Sequence, residues 1–141
     1  MHVKIAAVDG RDQKTASALL WLQLEVLPSD APLDPSQGHW WIGYDNGAPV
    51  AFCCVQQSVR WSDCGYLSRA GVIRAYRGKG LQRRLIRVRE RKARDLGWNW
   101  LVSDTYRNPA SANTLIACGY RIFIPSKPWG FDGAVYWRKK L

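Results

Sequence analysis

A chain of 141 residues, 47% hydrophobic and 23% charged, has the composition of one globular domain and excludes a disordered, collagen-like or linker protein. Its formal net charge of +10 points to an anionic partner: a phosphorylated small molecule, a nucleic acid or an acidic protein surface.

In chain order, Val3, Ile5 and Ala7 alternate with His2, Lys4 and Ala6 and predict a strand ending near Val8, before Asp9-Gly10. Ala16, Leu19, Leu20 and Val26 recur at helical spacing, with Asp12 placed to cap and Pro28 to stop, which predicts a helix over about 12–27. The Pro-, Asp- and Ser-rich segment 28–38 is expected to be a flexible functional loop. Trp40, Ile42 and Tyr44, then Asp45-Asn46-Gly47, then Val50, Phe52 and Cys54 form the pattern of a hairpin. Adjacent residues on a strand face opposite ways, so one of Trp40 and Trp41 is expected to be free to line an acceptor cleft, as is Trp129. Such an aromatic wall favours an apolar or cationic acceptor.

Another strand is predicted over about 65–73, then the turn Tyr76-Arg77-Gly78-Lys79-Gly80-Leu81-Gln82. The helix it opens has Leu81, Leu85, Val88 and Leu96 as a narrow apolar stripe, with its arginines facing outward. From Asn99 to Thr105 the pattern is that of a buried strand. Asn108 caps and Pro109 starts a short helix that Gly119 ends. Strands at 121–124 and 134–139 flank a Pro- and Gly-bearing loop. Helices interspersed among strands and hairpins predict a mixed α/β sheet.

The most apolar stretch, 15–24, is about half the roughly 20 residues needed to cross a bilayer, so no membrane span is expected. The N-terminal residues enter a strand pattern without an apolar run or cleavage site, and a cytoplasmic location is expected. Cys53, Cys54, Cys64 and Cys118 show no C-x-x-C spacing, so zinc is not expected and buried thiols are.

Between Arg74 and Arg94 stand ten lysines and arginines against one acid, Glu90. A strand feeding a glycine turn that opens a helix presents unpaired N–H groups and a positive dipole end at one point, which suits a phosphate. Gly78 and Gly80 let an oxyanion approach the backbone, and Arg77 and Lys79 add charge. A Walker loop fails because Gly80 follows Gly78-Lys79, and the dinucleotide fingerprint fails because Arg83 stands where its third glycine belongs.

The run Val72-Ile73-Arg74-Ala75-Tyr76-Arg77-Gly78-Lys79-Gly80-Leu81-Gln82 resembles the acyl-CoA motif R/Q-x-x-G-x-G/A of the GNAT N-acetyltransferases. Asn108-Pro109-Ala110-Ser111 and Cys118-Gly119-Tyr120 are similar to the family's second motif. The resemblance spans about residues 65–123 and implies one acetyltransferase domain over 1–141. It also implies a mixed, mostly antiparallel central sheet of six to seven strands with about four helices. In that family the strand before the turn splays from its neighbour and pairs with the pantetheine arm. The positions implied here are Ala70, Gly71 and Val72, with the amides of Arg77, Gly78, Lys79, Gly80, Leu81 and Gln82 on the diphosphate and Asn108 and Ser111 beside the pantetheine and thioester end.

The activity implied is acetyl transfer from acetyl-CoA to a primary amine, on a small molecule or a protein, by direct attack in a ternary complex. Three positions depart from the pattern. Gln82 replaces the last Gly or Ala, Arg74 a frequent proline, and Leu115 the tyrosine that protonates the departing thiolate in many members. Tyr106 is the substitute acid considered, Asp104 and Glu25 are the candidate bases, and Ser68 can relay through water. Two other functions fit the sequence: a nucleic-acid binder using the basic helix, and a silent member of the fold that holds CoA as a structural ligand. The segment 134–137 is expected to offer an edge for a homodimer sheet.

Overall fold

A computed structural model describes residues 2–141. The elements are β1 (Val3–Val8), α1 (Gln13–Val26), β2 (His39–Asp45), β3 (Ala48–Gln57), β4 (Cys64–Val72), a single 3-10 turn (Arg74–Tyr76), α2 (Leu81–Asp95), β5 (Trp100–Thr105), α3 (Pro109–Ala117), β6 (Arg121–Phe123) and β7 (Val135–Lys140). Hydrogen-bonded neighbours run in the order β1-β2-β3-β4-β5-β7-β6. Among the described residues there are three α-helices rather than about four, because the loop after α1 carries Pro28, Pro32 and Pro35 and the segment after β4 makes only the 3-10 turn. The chain forms two compact units, Met1–Gln56 with Ser68–Leu85 and Gln57–Leu67 with Ile86–Leu141.

In the first unit, β1 and β2 pair antiparallel from Val3↔Asp45 to Val8↔Trp40, and β2 pairs with β3 from Asp45↔Ala48 to His39↔Val55. The hairpin tip takes left-handed backbone at Asn46 (φ 48°) and Gly47 (φ 83°), which matches the twist of the strands it joins. Helix α1 begins where predicted: Asp12 Oδ2 accepts the Thr15 N–H at 3.0 Å. Leu19 and Leu22 pack on Trp40, Ile42, Phe52 and Cys54, all buried, and each large side chain contributes about 1.5–3 kcal/mol. On the other face of β3, the Cys53 thiol lies 3.7 Å from the Leu85 carbonyl.

Trp40 and Trp41 are both buried, one on each face, so neither lines a cleft as expected. Gly71 is required by close approach, since a Cβ there would stand 2.8 Å from the Phe52 ring. The 28–38 loop is held from within the helix. Buried Gln23 donates to the Asp30 and Ala31 carbonyls at 3.2 and 3.0 Å and accepts the Leu33 N–H at 2.7 Å, which seats Leu33 in the core. Arg69 donates to the Ala31 carbonyl at 2.6 Å. Polar composition suggested a flexible segment, and one buried amide side chain anchors it instead.

In the second unit, β4 runs parallel to β5 over three residue pairs, Cys64↔Trp100, Gly65↔Leu101 and Tyr66↔Val102. At the next step the Ser103 hydroxyl reaches the Leu67 carbonyl at 3.4 Å. Strand β7 pairs antiparallel with β5 on one edge and β6 on the other, so within the 134–137 segment expected to offer a dimer edge, Tyr136 and Trp137 are already paired on both sides. Helix α2 buries Leu81, Leu85, Ile86, Arg89, Glu90 and Ala93, whereas Leu96 is exposed. The stripe is therefore wider than the apolar residues alone predicted, and two charged side chains belong to it.

Glu90 is buried, and a buried phenol and a half-buried ammonium meet it there. Its Oε2 accepts the Tyr120 hydroxyl and the Lys139 ammonium, each at 2.9 Å, and Lys139 also donates to the Cys118 carbonyl at 2.8 Å. Burial, then the Glu90 charge and the hydrogen bond to it, push the Tyr120 hydroxyl well above its ordinary value.

Two expectations follow. Gln23→Ala removes three hydrogen bonds, one to a buried amide, and is expected to lower the urea-unfolding free energy by about 2–4 kcal/mol. Above pH 10 the unfolded chain ionises Tyr120 while the native chain resists, so stability is present below that pH and lost as pH rises through it. The slope of unfolding free energy against pH, measured from pH 9 to 11, is expected to flatten in Tyr120→Phe.

Candidate functional site

The glycine turn lies wholly in the first unit. Strand β4 ends at Val72, and the Ile73 N–H donates to the Val50 carbonyl at 2.8 Å, which fixes the direction of exit. The 3-10 turn is pinned by the Tyr76 hydroxyl, which donates to Asp45 Oδ2 at 2.6 Å, and this bond to a carboxylate raises the phenol above its ordinary value. Arg77 folds back so that its Nε donates to the Val72 carbonyl at 3.0 Å. Part of the guanidinium expected to face a phosphate therefore closes the loop onto its own strand.

Gly78 and Gly80 have φ of 76° and 81°, a region in which a side chain is strained, and a Cβ at either would meet nothing within 4 Å. Their role is conformation in an open setting. The Gly80 carbonyl accepts the Arg84 N–H at 3.3 Å, so the helix starts there and the amides of its first turn have no acceptor within it. Leu81 is buried, Gln82 is half-buried, and Arg77, Lys79 and Arg83 are exposed around them. Arg84 is tied to the Val3 carbonyl at 2.8 Å. These residues fit a diphosphate: open space over left-handed glycines, unpaired amides at a helix start and cations at the rim. Ala70 is half-buried, and Gly71 and Val72 are buried, in the strand leading to them.

Ser68 opens this part of β4, and its hydroxyl oxygen is buried with no hydrogen-bond partner among the described residues. Glu25 is exposed near the end of α1.

The remaining candidates lie in the second unit. Asp104 neither caps a helix nor pairs with Arg107. Its Oδ1 accepts the Tyr66 hydroxyl at 2.6 Å and the Trp129 indole N–H at 3.0 Å, which pins the loop between β6 and β7 to the sheet. Tyr66, Trp129, Phe123 and Tyr136 pack together beside it, edge to face except for the tilted Phe123–Trp129 pair. The Tyr136 hydroxyl accepts the Gly130 N–H at 2.8 Å and fixes the same loop. Tyr106 is 39% exposed, its ring tilted against Phe131, with the Arg107 guanidinium 5.1 Å above it.

Asn108 caps α3 through Oδ1, which accepts the Ser111 N–H at 3.1 Å. Leu115, at the family's tyrosine position, is buried and can hold no proton. Cys118 is buried at the end of α3. Burial, then the Asp63 charge, push the Cys64 thiol up to about 12. No cluster of His, Cys, Asp and Glu suited to a metal occurs among the described residues, and no described helix is long and apolar enough to cross a membrane.

Sequence reading named Trp129 and Asp104 separately and missed Tyr66, which links them. Strand register is what shows the link, because Tyr66 pairs with Val102, and Asp104, two residues on, shares that face of β5.

A strand, a left-handed glycine turn and a basic helix follow one another in this order, and comparison with known proteins gives the family. The model of the acetyltransferase (GNAT) family matches residues 11–120, and the chain belongs to that family. No curated protein sequence matches.

Solved structures share the fold. The IAA acetyltransferase from Bacillus cereus is 16% identical, with a TM-score of 0.77 over 99% of this chain and 100% of that one. The ribosomal-protein-S18-alanine N-acetyltransferase from Escherichia coli is 16% identical, with a TM-score of 0.74 over 99% and 94%. A Bacillus subtilis acetyltransferase in complex with CoA is 15% identical, with a TM-score of 0.75 over 99% of each chain.

Replacing Asp104 by Ala removes the acceptor shared by Tyr66 and Trp129. The expected result is a red-shifted tryptophan emission and faster proteolysis within 125–133, while Asp104→Asn, which keeps the carbonyl acceptor, stays close to wild type in both measurements.

Proposed function

We propose that the protein is an acyl-CoA-dependent N-acyltransferase that moves an acetyl group from acetyl-CoA to a primary amine by direct attack. The observation that carries the proposal is the turn at Gly78 and Gly80, whose left-handed backbone leaves the first-turn amides of α2 open beside Arg77 and Lys79. When bound, acetyl-CoA supplies a thioester whose carbonyl carbon the amine attacks; the C–S bond breaks, the thiol leaves and the amine gives up a proton.

The chain's part is to hold and to move protons. The amides from Arg77 to Gln82 grip the diphosphate, and the main chain of Ala70, Gly71 and Val72 pairs with the pantetheine arm. Asn108 and Ser111 are assigned to the pantetheine and thioester end by the family resemblance. Exposed Tyr106 is the proposed proton donor to the departing sulfur. Glu25 and Asp104 are the proposed bases, and Asp104 does this work with Oδ2, because Oδ1 already holds Tyr66 and Trp129. The acceptor class is an amine on a small molecule or a protein, and the proposed location is cytoplasmic.

Burial of Leu115 favours a second reading, a family fold that binds CoA without turnover. Acetyl-CoA at 100 times its Kd stabilises a one-site protein by about 2.7 kcal/mol, so a clear rise in melting temperature is expected. Gly80→Trp, strained at its φ and bulky over the amides, and Lys79→Glu, which leaves the backbone alone, are each expected to reduce the shift. No shift at millimolar acetyl-CoA rejects both readings. Thiol release from acetyl-CoA across a panel of primary amines separates them, turnover supporting transfer and its absence the silent binder.

A further inference from the structure

A pocket of about 280 Å³ lies in the second unit, lined by Trp61, Asp63, Cys64, Trp100, Val102, Phe123 and Arg138. Its volume is at the lower end of the roughly 300–1,000 Å³ typical of small-molecule sites and suits a ligand of one ring. The sheet builds it from register: Tyr66, Val102 and Arg138 face one another across β4, β5 and β7, with Cys64 and Trp100 one step away. Loop residue Trp61 and β6 residue Phe123 approach edge to face, their ring centroids 6.3 Å apart.

The polar groups here are mostly donors. The Arg138 guanidinium is held 4.9 Å over Phe123 and 5.5 Å over Trp100, and it has no acceptor and no ion pair among the described residues. No acceptor for the indole N–H of Trp61 or Trp100 occurs among them either. Arg60 stands 5.1 Å over Trp129, a ring 6.2 Å from Trp61, and adds a second cation to this face. The opposing charge is Asp63, whose Oδ2 takes the Asn99 amide at 3.4 Å. The Cys64 thiol is turned to the Gly65 carbonyl at 3.4 Å, and burial keeps it protonated.

An exposed guanidinium oriented by two rings and without a protein acceptor is arranged for a planar anion arriving from solvent, which it meets through two parallel N–H bonds. We propose that this pocket binds a small one-ring arylalkyl carboxylate, its ring among Trp61, Trp100 and Phe123 and its carboxylate on Arg138. The site stands apart from the acyl-CoA proposal and is tested with no CoA present.

The probes are 3-phenylpropionate and phenethylamine, which share a ring and differ in charge. Titration of the full chain, followed by tryptophan emission and calorimetry, is expected to show saturable binding of 3-phenylpropionate with Kd below about 1 mM and at least tenfold weaker binding of phenethylamine. Arg138→Gln is expected to weaken the acid about tenfold, and Arg138→Lys to recover only part of this, because a point charge lacks the planar fork. Should the variants fail to fold, amide and side-chain N–H shifts in the wild-type spectrum decide. Shifts at the Arg138 guanidinium and the Trp61 and Trp100 indoles support the site, and shifts confined elsewhere overturn it. Equal binding of the two probes, or no saturation by 10 mM, also overturns it.

Discussion

Backbone chirality at two residues decides how the first unit passes from β4 into α2. An L side chain is strained at the φ of Gly78 and Gly80, so glycine alone lets the chain leave β4, turn once and start α2 with its amides open. Every nearby bond serves that turn. Val50 holds its entry, Asp45 holds Tyr76, Val72 holds Arg77 and Val3 holds Arg84. Loss of any one loosens the approach to the helix start, whereas a side chain at either glycine changes its conformation directly. The hairpin tip matters for the same reason, since Asp45 reaches Tyr76 from it.

The second unit is organised by two acids placed differently. Glu90 is buried and offset by a lysine and a phenol, a geometry in which removing one partner costs more than the pair contributes. Asp104 is half-buried, and its two donors bring a loop tryptophan and a strand tyrosine together at one oxygen. The first acid orders the packing of α2 against β7 and the segment after α3. The second shapes the aromatic face beside which Arg138 stacks.

Element order, both hairpin strands, the caps at Asp12 and Asn108 and the glycine turn were legible in the sequence because each rests on local chemistry: alternation, an Asx acceptor three residues before its donor, or a left-handed glycine. What stayed hidden depends on contacts distant in sequence. Gln23 reads as a solvated helix residue, yet its amide holds the loop 28–38. Trp40 and Trp41 suggested one spare aromatic because a strand has two faces, but in this unit both faces are covered. Arg89 was expected on an outward face with the other arginines of α2, yet it is buried beside Glu90. For the candidate site, the left-handed turn was readable from glycine spacing, while the Tyr66–Asp104–Trp129 link required strand register.

All four cysteines are buried and none is in a disulfide. Sulfhydryl reagents in solution thus meet them only when the fold opens, and the thiolate of Cys64 is scarce even then until the residue leaves its burial. Labelling of the untouched chain therefore acts as a built-in gauge of breathing: where reclosing outpaces capture, the pace of modification tracks the population of opened molecules, with no dye or tag required.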